Sequence, residues 1–141
     1  MPAEILLLDD SLYGIFLKDK FTKSGHNVHH SLDVDEALEH VSSRTDLDAV
    51  YFQYSTTGIM GVRFAYGLRV MPHLERVRIV AMIVPGFRRS YAEHALYGLP
   101  ITIQTLPNYL HRDREVVDKL MALGIPDYNG PYPYSDLAPS S

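Results

Sequence analysis

Glu4-Ile5-Leu6-Leu7-Leu8-Asp9-Asp10 places four consecutive aliphatic residues in front of two carboxylates. The run is too short for a helix and has no polar face, so it predicts a strand buried on both sides. A strand of that kind needs packed layers above and below it, which is the arrangement of an α/β domain around a parallel sheet. The next residues agree. From Ser11 to Ser24 the stripe Leu12, Tyr13, Phe16, Leu17 and Phe21 has helical spacing, and Gly25 suits the position just past a helix end.

The same alternation continues along the chain and predicts five βα units. His26 to Ser31 fits a polar strand. Asp33 and Glu36 resemble a capping box ahead of Val34, Ala37, Leu38 and Val41. Asp48 to Tyr54 is rich in β-formers and predicts a central strand, followed by the loop Ser55-Thr56-Thr57-Gly58 and a helix from Gly61 to Met71 that Pro72 stops. Arg78 to Val84 predicts a fourth strand, Pro85-Gly86 a break, and Arg88 to Tyr97 a short helix closed by Gly98. Pro100 to Thr105 predicts the fifth strand, and Asn108 can cap a last helix carrying Leu110, Val116, Val117, Leu120 and Met121. Beyond Gly124 proline and glycine become too frequent for either element, so the expected division is one domain over residues 1–124 and a Pro/Tyr-rich tail over 125–141.

Composition sets limits on function. A chain of 141 residues buries about two thirds of the surface its unfolded form exposes, enough for one core. The absence of cysteine removes disulfides, thiol nucleophiles, zinc–thiolate sites and iron–sulfur clusters, and fits a reducing compartment. Met1-Pro2-Ala3-Glu4 has no basic segment before an apolar run, and no stretch reaches the length of a bilayer span. A cytoplasmic protein without membrane contact is the expectation. A formal net charge of −4 argues against a broad nucleic-acid footprint.

In an open parallel sheet the ligand site lies beyond the carboxyl ends of the strands. The residues to inspect are therefore Asp9, Asp10, Gln53, Ser55, Val84, Thr105 and Leu106. Ile5 to Asp10, the run Asp48-Ala-Val-Tyr-Phe-Gln-Tyr-Ser-Thr-Thr-Gly-Ile-Met-Gly61, and Leu106-Pro107 resemble the three signature stretches of CheY-like response-regulator receiver domains, over residues 3 to 124. The resemblance implies a flavodoxin-like, doubly wound sheet of five parallel strands in the order 2-1-3-4-5, as a single domain. It also implies an acidic pair after the first strand, an acceptor aspartate ending the third, a hydroxyl ending the fourth and a lysine before proline after the fifth.

Only the acidic pair, Asp9 and Asp10, is present. Counted back from Gly61, the acceptor position falls on Gln53, whose neutral amide is not a nucleophile and cannot complete a carboxylate triad around magnesium. The hydroxyl position falls on Ile83 or Val84, and neither can donate a hydrogen bond. The lysine position falls on Leu106, which removes the charge that would stabilise a transferred phosphoryl group. A degenerate pseudo-receiver is the expectation: no catalytic residue, no enzyme activity, no cofactor and no metal.

Other conspicuous residues have plainer readings beside the functional ones. Asp9 and Asp10 could hold a cation, but they also serve as N-terminal charges for the helix after them. His26 and His30 share one face of their strand while His29 points to the other, so no two of the three are placed as a tight chelate, and decoration of a solvent-facing edge strand is expected. Tyr128, Tyr132 and Tyr134 dock the tail, present it to a partner, or belong to a simple disordered end. Arg88 and Arg89 stand at a helix start, where cations oppose the dipole, next to Phe87. The reading that results is a phosphorylation-independent signalling and protein-interaction module. The family's docking and dimer face would here include Arg88, Tyr91, Ile103, Leu110, Arg114 and Lys119, the occupant being a signalling protein or a second copy of the chain. The alternative is a small-ligand sensor or vestigial enzyme using the pocket above Asp10, Gln53 and Thr57.

Overall fold

Ile5, Leu6, Leu7 and Leu8 are all essentially inaccessible, which is possible only if both faces of their strand are covered. In the computed structural model they lie in β1 (Glu4–Leu8), flanked on one side by β2 (Asn27–Ser31) and on the other by β3 (Ala49–Gln53). The structure describes residues 2–54, 59–83 and 87–106. β4 (Arg78–Ile83) pairs with β3, and β5 (Thr102–Thr105) with β4, every pairing parallel, so the sheet has the order β2-β1-β3-β4-β5. That is the doubly wound, single-domain architecture expected.

Alternation along the strands divides the apolar residues into two cores, because successive side chains point to opposite faces. Ile5, Leu7, Ala49, Tyr51, Val80 and Met82 meet Leu17 and Phe21 of α1 (Leu12–Lys23) on one face. Leu6, Leu8, Val50, Phe52, Ala81 and Ile83 meet the other helices on the opposite face. These are α2 (Val34–Ser42), α3 (Ile59–Arg69) and α4 (Arg89–Ala95), which contribute Val34, Ala37, Val41, Phe64, Leu68 and Ala92. The Phe52 and Phe64 rings pack edge to face with centroids 5.2 Å apart.

Helix ends explain most shifts from the expected boundaries. Ser11 caps α1, its hydroxyl accepting from the Tyr13 N–H at 3.2 Å, so the helix proper begins at Leu12. Gly25 at φ 92° and Gly98 at φ 83° occupy the left-handed region that favours glycine after a helix. Asp33 caps α2 by accepting from the Glu36 N–H at 2.9 Å, but the box is not reciprocal. The Asp33 N–H is met by the Ser31 hydroxyl at 3.3 Å, and the Glu36 carboxylate turns to His29. α3 starts two residues before the predicted span and also ends two residues before it, since Pro72 opens a separate 3₁₀ turn over Pro72–Leu74 and does not directly follow the helix. Among the described residues no helix is long and apolar enough to cross a membrane. The predicted last helix and the tail over 125–141 lie outside the described residues.

Candidate functional site

Parallel register carries the ends of the central strands to one edge of the sheet. Leu8 aligns with Phe52, Gln53 with Met82, and Ile83 with Thr105. Asp9 comes directly after β1, Gln53 ends β3, Ile83 ends β4 and Leu106 comes directly after β5. The first three and Leu106 are fully buried, and Thr105 nearly so. Of the residues singled out from the sequence, the described ones therefore converge, with one exception. Asp10 is exposed, so the adjacent carboxylates face different environments.

Asp9 is heavily engaged. One carboxylate oxygen accepts from the Ser11 N–H at 2.7 Å and from the Ser11 hydroxyl at 2.5 Å, and the other accepts from the Gln53 amide at 3.3 Å. Its backbone is held as tightly: the N–H donates to the Ser31 carbonyl at 3.1 Å, and His30 Nε2 donates to the Asp9 carbonyl at 2.7 Å. Burial raises the Asp9 carboxyl above its ordinary value. The Ser11 and Gln53 hydrogen bonds oppose that rise, and the neighbouring Asp10 charge adds to it. The expectation that the carboxylates serve the next helix is met by Asp9, which bonds to the α1 cap. α1 crosses close over this point: a Cβ on Gly14 would lie 2.7 Å from both the Asp9 Cβ and its carbonyl oxygen.

Magnesium, which the receiver resemblance implies, does not fit these residues. Gln53 brings no negative charge and spends an N–H on the one carboxylate that points inward. Ile83 and Leu106 are aliphatic, and the Leu106 N–H is taken by the Ile83 carbonyl at 2.8 Å, which closes β5 onto β4. Thr105 Oγ1 is a buried hydroxyl without a hydrogen-bond partner among the described residues. Ser55, Thr57 and Val84 lie outside the described residues. An apolar cleft of about 340 Å³, lined by Leu68, Met71, Leu74, Ile79, Leu99 and Ile101 among others, opens at the opposite end of the sheet. It does not serve the ligand-pocket alternative placed above Gln53.

On the proposed docking face the start of α4 is an aromatic and cationic patch. Tyr54 packs edge to face on Phe87 at 5.7 Å, Phe87 on Tyr91 at 6.3 Å, and the Arg88 guanidinium lies over Tyr91 at 5.3 Å. Arg89 pairs with Glu93 one turn on at 3.0 Å, so each cation that opposes the helix dipole has a local partner. Tyr91 is 59% exposed and Tyr97 89%, while Ile103 is half-buried against the core. Leu110, Arg114 and Lys119 lie outside the described residues.

The histidines separate into two groups. His26 Nδ1 accepts from the Ala3 N–H at 3.0 Å, His30 is tied to Asp9, and His73 Nε2 donates to the Val41 carbonyl at 2.9 Å; these are structural bonds. His29 instead meets two residues of α2, Glu36 and His40. The pattern of the strand alone does not reveal that grouping. Its signal lies in the spacing of Glu36 and His40, four apart on a helix that a right-handed crossover returns to the sheet beside β2.

Neither a family model nor a curated protein matches the chain. Solved structures do. The chemotaxis response regulator CheY4 of Vibrio cholerae superposes with a TM-score of 0.71 at 14% identity, covering 87% of this chain and 99% of that one. A second structure of CheY4, crystallised at low pH, gives 0.73 at 15% identity, covering 89% and 100%. At these identities the likeness establishes the fold: this chain is a CheY-like, doubly wound α/β domain.

Proposed function

We propose that the chain is a phosphorylation-independent docking module of the response-regulator type, acting in the cytoplasm. The observation that carries the reading is the Gln53 amide donating to Asp9 at the point where a phosphoryl acceptor would stand. With Ile83 and Leu106 also aliphatic, the described strand ends lack the carboxylate on β3 and the cation after β5 on which phosphoryl transfer of the receiver type depends. What remains is a rigid scaffold carrying the exposed Arg88–Tyr91 patch of α4. Arginine and tyrosine are the residue types that most often anchor protein interfaces.

Incubation with acetyl phosphate and magnesium, with intact mass then measured, should show no added phosphoryl group. The Gln53→Asp variant should stay unmodified as well, because Leu106 still supplies no cation. An acyl phosphate on either protein would overturn the proposal. Its docking half is tested by affinity capture from lysate with wild type and with the double variant Arg88→Glu, Tyr91→Ala. Specific partners should be lost by the variant, whereas an unchanged set would remove α4 from the interface.

A further inference from the structure

We propose that His29, Glu36 and His40 form a Zn²⁺ site that clips the edge strand β2 to helix α2. The site stands apart from the strand-end pocket and does not depend on the docking reading. Register puts the three side chains together. His29 aligns with Leu6, whose side chain enters the core shared with α2, so His29 projects toward that helix from the edge strand. On α2, Val34, Ala37 and Val41 are buried, and Glu36 and His40 flank that stripe one turn apart on the side nearer β2. One potential ligand atom from each of the three lies within 4.8 Å of the others.

The contacts already made bring the three donor groups together. His29 Nε2 sits 2.9 and 3.1 Å from the two Glu36 oxygens, and the His29 and His40 rings stack with centroids 3.8 Å apart and planes inclined by 8°. Stacked imidazoles repel when both are charged. Ligation needs both rings in the neutral form, which is also the form in which they can stack without repulsion. The other facing groups are mutually satisfied, since Arg44 pairs with Asp46 at 2.7 Å and with Glu4 at 3.3 Å. Glu36 is thus the carboxylate directed at the histidines.

Two imidazoles and one carboxylate are a common donor set for zinc, which leaves a fourth tetrahedral position for water. Ligand atoms at zinc distances stand about 3.3 Å apart, so closure from the present spacing needs only side-chain rotations of about 1.5 Å. The rings must tilt out of parallel for their in-plane lone pairs to converge. His29 and Glu36 have room to move, their side chains being 38% and 50% exposed, while His40 is half-buried and sets the position they close onto. The neighbouring histidines are poorer competitors, as His26, His30 and His73 already have a ring nitrogen in a structural bond.

The test is calorimetric titration of chelator-treated full chain with ZnCl₂, repeated with CoCl₂ while the visible ligand-field bands are recorded. One equivalent should bind, and cobalt should give the intense bands of a four-coordinate ion. His29→Ala, His40→Ala and Glu36→Gln should each weaken binding at least about 100-fold, more than loss of an outer-shell partner usually costs, while His94→Ala leaves it unchanged. All four positions are at least partly exposed, so metal-free circular dichroism should match wild type. Absence of binding, or binding that survives all three ligand variants, overturns the site.

Discussion

Asp9 is a buried carboxyl held by hydrogen bonds from Ser11 and Gln53. Burial without a cation lifts its carboxyl above the ordinary value of 3.8, so folding favours the protonated form. That fixes the sign of the pH dependence. The stabilising contribution of the raised group is fully present below the unfolded value and is lost as pH rises through the folded one, leaving an ionised, buried Asp9 as a cost at neutral pH. Asp9→Asn removes that cost and keeps an oxygen for the Ser11 donors. Rotating the Gln53 amide by half a turn would present an acceptor to the new amide. We therefore expect Asp9→Asn to melt above wild type at pH 7, with the gap closing as the pH approaches 4. A melting series across that range checks it, and a gap that widened toward low pH would show that the ionised carboxylate is the stabilising form.

Elements are legible in the sequence to different degrees, for physical reasons. β1 is plain because four aliphatic residues between a charged start and two carboxylates have no other sensible place. α2 is plain from the spacing of Val34, Ala37 and Val41, all three of which are buried. Boundaries are harder, since they are set by individual caps: Ser11 moves the start of α1 inward, and the Pro72–Leu74 turn stands between α3 and β4 as an element of its own. Within the candidate site, the burial of Asp9, Gln53 and Leu106 at the strand ends comes from topology alone. The divergence of Asp9 and Asp10 does not, because it depends on which carboxylate the Ser11 donors capture. Nor does the His29 cluster, which needs the docking of a helix on a strand and not the pattern of either. The half-formed capping box bears on this junction. With Glu36 turned to His29, the α2 N-terminus relies on the Asp33 side chain, and Asp33→Ala should cost about 1 kcal/mol, or about 2–4 °C in Tm for a chain of this length. Urea denaturation measures it, and no loss would mean that another donor–acceptor pair holds the cap.

At the scale of the whole molecule the question is what could switch a receiver-like fold whose strand ends carry Gln53, Ile83 and Leu106. The resemblance implies a coupling in which a hydroxyl at the end of the fourth strand and an aromatic on the fifth respond to the acceptor. Here the described counterparts are Ile83 and Ile103, packed in the same apolar core. Aliphatic side chains buried together have no polar pairing to exchange, and a ligand shifts an equilibrium only through differential affinity for its two states. Most polar groups at the strand ends are paired as well: Gln53 on Asp9, Asp9 on Ser11, and the Leu106 N–H on the Ile83 carbonyl, with Thr105 Oγ1 the one buried hydroxyl lacking a partner among the described residues. The Tyr54–Phe87–Tyr91 ladder links the end of β3 to α4 through edge-to-face ring contacts. The domain should therefore hold one conformation, with partner binding confined to side-chain adjustment on the α4 face. Relaxation-dispersion NMR on the free protein should find no millisecond exchange at Gln53, Tyr54, Ile83 or Phe87. Exchange clustered at those four positions would mean that a two-state element survives between the strand ends and α4, and docking would then be a regulated event and not a fixed property of the surface.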